Sequence, residues 1–270
     1  MSFDYDKYLR PNKLPHIWCP GCGYGIILKA LIRALDSLGW DKDEVVIASG
    51  IGCASRLPGY VDFNTIHTTH GRSLAFATGI KLAKSNLKVI VLGGDGDMSA
   101  IGGNHLIHAC RRNIDLSLMI FNNNIYGMTG GQFSPTTPTG QRATTAPYTM
   151  TENNFDISRL AIGAGASFVA RTSTYHVVQM EDLMKQTFMH KGFSVLEIMS
   201  GCTTGFGRRN KMPEAADLLE WQKKNGVSVS RWASMNAKER EGKYTIGVLH
   251  SEEKVDYLTA YDKAVGLSEG

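Results

Sequence analysis

The chain has 270 residues, 43% of them hydrophobic, and a formal net charge of +4. This length fits one large domain or two small ones. The charge is mild and no basic tract stands out, which argues against a nucleic-acid partner. No run of about 18 apolar residues occurs, so no membrane span is expected. The polar start, MSFDYDKYLR, lacks the form of a signal peptide and favours a cytoplasmic protein.

The first 84 residues read as an irregular, proline-containing arm followed by alternating helices and strands. A Cys-x-x-Cys turn ends the arm and opens a helix whose apolar residues recur at helical spacing. Two short strands each run into a glycine turn, and the second of these turns begins with His70. The predicted elements are a helix at 26–38, strands at 45–48 and 65–69, and a helix at 73–84.

The stretch 87–133 carries the strongest functional signal. An apolar strand at 87–92 leads into a glycine turn with Asp95, and a helical run to about residue 112 follows. A second strand, 116–121, ends in a loop with Asn123, and 27 residues separate Asn123 from Asp95. The carboxyl ends of parallel strands share one sheet edge, so the two side chains are expected to converge.

An Asp carboxylate and an Asn amide oxygen suit Mg²⁺ or Ca²⁺ holding a phosphate. Gly94 and Gly96 allow the backbone to approach such a ligand closely, and the following helix presents N–H groups to an anion. The alternative is an ordinary strand-to-helix turn that happens to contain GDG. The second strand ending in Asn-Asn at this spacing favours the phosphate site.

Beyond the central unit, strands and helices continue to alternate. A loop at 134–147, rich in Pro and Thr, is long enough to be functional or to face a partner. The alternation predicts a doubly wound, mostly parallel α/β sheet within a domain at 1–205. Residues 206–270 are more charged and read as a C-terminal extension wrapping the domain or a partner. The predicted elements are helices at 155–162, 177–190 and 213–224 and strands at 168–170, 194–198 and 244–249.

Five cysteines in a cytoplasmic-looking chain argue for metal or redox chemistry rather than disulfides. Cys19 and Cys22 form the Cys-x-x-Cys turn, and Cys53 and Cys202 each follow a predicted strand at the edge that carries Asp95 and Asn123. Four thiolates can gather there, and such a set suits Zn²⁺ or a [4Fe–4S] cluster. Cys110 lies far along the helix and is expected to be buried and inert.

GDG followed by Asn resembles the thiamine diphosphate motif. The resemblance extends over most of residues 16–211 and is to the β subunit of the 2-oxoacid:ferredoxin oxidoreductases, most closely the 2-oxoglutarate branch. The segments that carry it are CPGCGYG at 19–25, GIGCASR at 50–56, THGRSLAFATGIK at 69–81, NNNIYGMTGGQ at 122–132 and CTTGFGRRNK at 202–211.

The resemblance implies a thiamine diphosphate-binding fold of the diphosphate-binding type. It implies Mg²⁺ held by Asp95, Asn123 and the backbone carbonyl of Ile125, and a [4Fe–4S] cluster held by Cys19, Cys22, Cys53 and Cys202. His70 is the candidate catalytic residue. The residues expected around the cofactor are Ile51, Gly52, Cys53, Ala54, His70, Gly94, Gly96, Asp97, Gly127, Met128 and Thr129.

The implied activity is oxidative decarboxylation of a 2-oxoacid with coenzyme A, electrons passing through the cluster to ferredoxin, or the reverse carboxylation. Thiamine enzymes also need a pyrimidine-binding module, and this chain has no room for one. An α subunit is therefore expected to supply it, in a dimer of αβ pairs. The alternatives are a pyruvate or branched-chain 2-oxoacid enzyme, a thiamine-dependent decarboxylase or synthase subunit without redox chemistry, and a zinc-stabilised phosphate-binding module without catalysis.

Overall fold

The structure, a computed structural model, describes residues 3–267. The strands of these residues are β1 (Val45–Ser49), β2 (Asn64–His67), β3 (Lys88–Gly94), β4 (Ser117–Asn122), β5 (Ile125–Tyr126), β6 (Gln132–Phe133), β7 (Phe168–Ser173), β8 (Ser194–Met199), β9 (Gly226–Ser228) and β10 (Tyr244–Ser251). Eight of them form one sheet in the order β2-β1-β3-β4-β8-β7-β10-β9, and β5 and β6 form a separate hairpin.

Helices cover both faces of the sheet, because the central strands are apolar on both sides. The helices are α1 (Tyr24–Leu38), α2 (Ser73–Ala83), α3 (Gly103–Arg112), α4 (Ile157–Gly163), α5 (Val177–Met189), α6 (Ala215–Asn225), α7 (Val229–Ser234), α8 (Ala237–Arg240) and α9 (Tyr257–Ala264). Along β3, Ile90 and Leu92 pack with α1 and α5, whereas Val89 and Val91 pack with α2, α3 and α4. No helix among the described residues is long and apolar enough to cross a membrane.

The predicted doubly wound, mostly parallel fold is confirmed. The strands of the central sheet are parallel, and only β10 pairs antiparallel, with β7. Residues 226–251, inside the predicted extension, thus supply two further strands to the same sheet. The boundary at residue 205 stays a prediction.

Some element ends differ from the sequence predictions. The predicted strand at 65–69 ends at His67, and the turn at residues 70–71 follows. The backbone N–H and the hydroxyl of Thr68 both donate to the Ser49 carbonyl at this end of the strand. The helical run after the glycine turn begins as a π-helical turn at Asp97–Ile101 before α3. The loop predicted after β4 contains the hairpin β5–β6, which folds Gly127 and its neighbours back toward the sheet.

Candidate active site

The loops after β1, β2, β3 and β4 meet in one cavity at the carboxyl edge of the sheet. This cavity brings together all the residues predicted around the cofactor and the three predicted Mg²⁺ ligands. The predicted residues that line it are Ile51, Gly52, Cys53, Ala54, His70, Gly94, Asp95, Gly96, Asp97, Asn123, Ile125, Gly127, Met128 and Thr129.

Asp95 lies directly after β3 and is buried. Its Oδ2 atom accepts hydrogen bonds from Ser134 Oγ and Thr136 Oγ1, both at 2.5 Å, and the described residues give Oδ1 no side-chain donor. Burial raises the pKa of Asp95 to about 6, although the two hydroxyls and the backbone N–H groups of Asp95 and Asn123 favour the anion. A cation at Oδ1 would offset this burial cost, so the carboxylate fits a metal ligand.

Asn123 follows β4, and its side chain is held at both ends. Its Nδ2 donates to the Tyr24 hydroxyl at 3.0 Å, and its Oδ1 accepts from the backbone N–H of Ile125 at 3.2 Å. Burial raises the pKa of Tyr24 well above its ordinary value, so the phenol stays neutral. An amide oxygen has a second lone pair, and Oδ1 can therefore also bind a cation.

Asp97 holds two neighbouring loops in place. Its Oδ1 accepts hydrogen bonds from His70 Nδ1 at 2.5 Å, from the Gly71 N–H at 2.7 Å and from the Ile51 N–H at 3.3 Å. Burial raises the pKa of Asp97 even though these N–H groups and His70 oppose that effect. The bond to Nδ1 fixes the imidazole ring, and Nε2 makes no hydrogen bond within the described residues. Asp97 thus positions His70 at the cavity.

Two glycines are required by close approaches at this site. A Cβ atom on Gly50 would lie 2.1 Å from Asp97 Oδ2, and one on Gly96 would lie 2.3 Å from the Tyr126 ring. The Tyr126 hydroxyl donates to the Gly96 carbonyl at 3.1 Å. Gly96 therefore lets the β5 strand close over the glycine turn, which a larger residue would prevent.

The four candidate cluster cysteines lie beside this cavity. A Cβ atom on Gly127 would be 3.3 Å from Cys202 Sγ and 3.8 Å from Cys53 Sγ. Burial, together with the charges of other candidate thiolates, raises the pKa of Cys22 and of Cys53 to about 11. The thiols thus lie close enough for their charges to act on one another.

Among residues 3–267, no three His, Cys, Asp or Glu side chains stand close enough to hold one metal ion. In a [4Fe–4S] cluster each thiolate binds a different iron, so its ligands stand farther apart than those of a single ion. The cluster at the four cysteines stays a prediction.

The sequence predictions missed several polar residues of the site. Tyr24 and Tyr126 stand inside the quoted motifs, so their neighbours offered a signal. Ser134 and Thr136 lie in the loop at 134–147, where only its length and composition pointed to function. The expectation for Cys110 is confirmed, since it is buried in the core and burial raises the pKa of its thiol to about 12.

Comparison with known families supports the class of protein that this fold and cavity indicate. Residues 50–198 match the family described as thiamine pyrophosphate enzyme, C-terminal TPP binding domain. This match covers more than half of the chain and includes the loop after β1 and the strands β3 and β4 with the loops that follow them. The chain therefore belongs to the class of the thiamine pyrophosphate enzymes.

Individual relatives identify the family within this class of enzymes. The chain is 46% identical over 259 residues to the 2-oxoglutarate synthase subunit KorB of Methanocaldococcus jannaschii, with 96% of each chain covered. It is 53% identical over 225 residues to the KorB subunit of Archaeoglobus fulgidus, covering 83% of this chain and 82% of the relative. The chain therefore belongs to the β, or KorB, subunits of the 2-oxoglutarate:ferredoxin oxidoreductases, and the predicted family is confirmed.

A solved structure shares the fold. It is the 2-oxoglutarate:ferredoxin oxidoreductase from Magnetococcus marinus with 2-oxoglutarate, coenzyme A and succinyl-CoA bound, which superposes with a TM-score of 0.85 at 33% identity. The match covers 97% of this chain and 90% of the other. The strands of the C-terminal extension are therefore included in the shared architecture.

Proposed function

We propose that this subunit, paired with an α subunit, converts 2-oxoglutarate and coenzyme A to succinyl-CoA and CO₂ and delivers the electron pair, one electron at a time, to ferredoxin. The reverse carboxylation uses the same groups. The observation that carries the proposal is one cavity lined by Asp95, Asn123, His70 and Cys53, with the Cys202 thiol close to Gly127 on the cavity wall. The bound ligands of the Magnetococcus marinus enzyme support the choice of substrate.

Mg²⁺ is the metal that the donor set favours. Asp95, Asn123 and the Ile125 carbonyl would supply hard oxygen ligands, and diphosphate and water would complete the shell. Asp95 is buried without a cationic partner among the described residues, which is costly unless an ion binds. Gly94 leaves open space beside it for the diphosphate, since a Cβ there would meet nothing within 4 Å.

When bound, thiamine diphosphate supplies the carbon nucleophile and electron sink that allow a 2-oxoacid to lose its carboxylate. The chain's own contribution is to orient polar groups around that chemistry. Asp97 holds His70 so that the Nε2 edge is available to hydrogen-bond substrate or move a proton. Ile51 and Met128 add apolar surface at the cavity, which excludes water from the reacting carbon.

The cysteine set would hold a [4Fe–4S] cluster through Cys19, Cys22, Cys53 and Cys202. The cluster supplies the one-electron steps that separate an oxidoreductase from a simple decarboxylase. Cys202 Sγ accepts a hydrogen bond from the Gly205 N–H at 3.2 Å, the kind of contact that tunes the potential of a cluster. Five free cysteines without a disulfide also support a cytoplasmic location.

An α subunit would complete the site. Ile51 is 41% exposed and Met128 is 46% exposed, although both are large apolar side chains that line the cavity. Such exposure at a cofactor site suits a surface that a partner covers. We propose that the partner brings the pyrimidine-binding module and that two αβ pairs associate.

The test is electron paramagnetic resonance on the anaerobically purified αβ complex after addition of 2-oxoglutarate and coenzyme A. A reduced-cluster signal that depends on both substrates supports the proposal. A signal with pyruvate or a branched-chain 2-oxoacid instead would keep the cofactors and change the substrate. Zinc in place of iron would overturn the redox function.

The Asp95→Asn variant tests the metal site, because it should lose the rise in melting temperature that Mg²⁺ and thiamine diphosphate together produce.

A further inference from the structure

Three arginines line one open surface cavity, and we call Arg142, Arg208 and Arg209 the arginine patch. All three side chains belong to exposed residues. The arginines that form ion pairs in the described part of the chain are Arg10 and Arg171, so the patch carries uncompensated positive charge. No acidic side chain of the described residues lines the cavity.

The patch lies next to a candidate cluster ligand. The N–H groups of Phe206 and Gly207 donate to the Cys202 carbonyl at 3.2 and 2.8 Å, and the Arg208 N–H donates to the Thr203 carbonyl at 3.2 Å. Thr204 lines the cavity, and its hydroxyl is 3.7 Å from Cys202 Sγ. The short turn that holds Cys202 therefore also presents Arg208 to solvent.

We propose that the arginine patch is the docking surface for an acidic electron-carrier protein. This inference rests on the proposed function, because it needs a redox cluster at Cys202. A cationic surface over the cluster would attract an acidic carrier at long range and orient it toward the nearest thiolate. Electron carriers form small, transient complexes, so a compact charged patch is sufficient.

The surroundings of the patch suit a protein partner rather than a small polyphosphate. Tyr148 is 87% exposed, and Arg142 Nε donates to its carbonyl at 3.1 Å, which places an aromatic residue beside the guanidinium groups. Tyr and Arg are the residues most enriched at protein interfaces. Small anionic ligands are usually enclosed, whereas the three arginines of this cavity are all exposed.

Arg208 is the residue to test. Its side chain makes no hydrogen bond within the described residues, whereas Arg209 donates to the Thr144 hydroxyl at 3.1 Å and has a structural role. The Arg208→Glu variant of the αβ complex would be titrated with an oxidised, acidic 2[4Fe–4S] ferredoxin at several salt concentrations. Arg231→Glu makes the same change of charge away from the patch, at an exposed arginine of α7 that forms no ion pair within residues 3–267.

The proposal expects Arg208→Glu to weaken ferredoxin binding at least about tenfold at low salt and to reduce its salt dependence, with Arg231→Glu unchanged. Reduction of the cluster by 2-oxoglutarate and coenzyme A should be normal in both variants.

If that reduction fails in the wild-type complex, the proposed function is wrong and the docking proposal is wrong with it. Equal ferredoxin binding by Arg208→Glu and wild type overturns the docking proposal alone. A rise in the KM for coenzyme A without a change in ferredoxin affinity would assign the patch to that ligand. Loss of αβ assembly would assign it to the subunit interface, and either result also overturns the docking proposal.

Discussion

The side-chain amide of Asn122 donates a 2.7 Å hydrogen bond to Oε1 of Glu197, linking β4 to β8 inside the core. Thr136 Oγ1 lies 3.1 Å from Asn122 Oδ1, and this hydroxyl donates its one proton to Asp95 Oδ2 at 2.5 Å. Arg171 Nε donates to Glu197 Oε2 at 2.8 Å. A buried ion pair therefore supports the amide that orients the surroundings of the candidate metal ligand.

Replacing Glu197 by Gln should destabilise the chain. The change leaves Arg171, which is buried, with only the partly exposed Asp156 as its anionic partner. Removing one member of a buried pair is expected to lower the free energy of unfolding by about 3 kcal/mol, measured by chemical unfolding of the subunit. Glu220→Gln is the control, because its 3.6 Å contact with Lys223 is exposed and should contribute less than about 0.5 kcal/mol. Equal losses in both variants would show that the buried pair has no special role.

The contribution of Glu197 should also depend on pH. Burial alone would raise the pKa of Glu197, but Arg171, Ser158 and Asn122 outweigh burial and lower it below its ordinary value of 4.5. A lowered pKa in the folded state means that the carboxylate stabilises the fold above about pH 4.5 and that this stability is lost as the pH falls through the folded value. The stability difference between wild type and Glu197→Gln should therefore shrink between pH 5 and pH 3. A difference that is constant over this range would contradict the assignment.

Asp97 and His70 should act as one unit in catalysis. If Asp97 works by holding His70, then Asp97→Asn and His70→Asn should each lower kcat by about 100-fold, and the double variant should lose no more than His70→Asn alone. Steady-state kinetics of the αβ complex would measure this cycle. Additive losses would mean that the two residues serve separate functions, for instance because Asp97 acts mainly on the Ile51 loop.

Gly50 should tolerate no side chain. A Cβ there would lie 2.1 Å from Asp97 Oδ2, so Gly50→Ala should displace that carboxylate and lower the free energy of unfolding by about 1–3 kcal/mol. Gly59→Ala is the matched control, since a Cβ at Gly59 meets nothing within 4 Å. Thermal unfolding compares the two variants, and a Gly50→Ala protein as stable as Gly59→Ala would show that the loop adjusts without cost.

The cysteines should separate into two groups by iron content. Cys202→Ser should lose most of the iron and acid-labile sulfide of the anaerobically purified complex, because it removes one proposed cluster ligand. Cys110→Ser should keep the iron and the sulfide, since Cys110 lies on α3 and its side chain is buried in the core. Full iron content in Cys202→Ser would move the cluster to other ligands.

Much of this site can be read from the sequence because its signals are local. The apolar runs before Asp95 and Asn123 predict two strands, and the parallel connection between strands places their ends at one edge. The Cys-x-x-Cys turn is a motif in itself, and Cys53 and Cys202 each lie within a short recognisable segment, GIGCASR and CTTGFGRRNK. Each of these inferences uses residues near one another in the chain, together with one rule of sheet topology.

Other parts of the site were decided only by the tertiary structure. Ser134 and Thr136 reach Asp95 from 39 and 41 residues away, and Tyr24 meets Asn123 across 99 residues. Such pairs carry no periodic signal, because a single hydroxyl in a loop looks the same whether it faces solvent or a buried carboxylate. The contacts of Asp97 with the two neighbouring loops and the addition of β9 and β10 to the sheet are likewise pairings between distant segments. They depend on which distant segments pack together, and that is settled by burial and hydrogen-bond pairing in the whole fold.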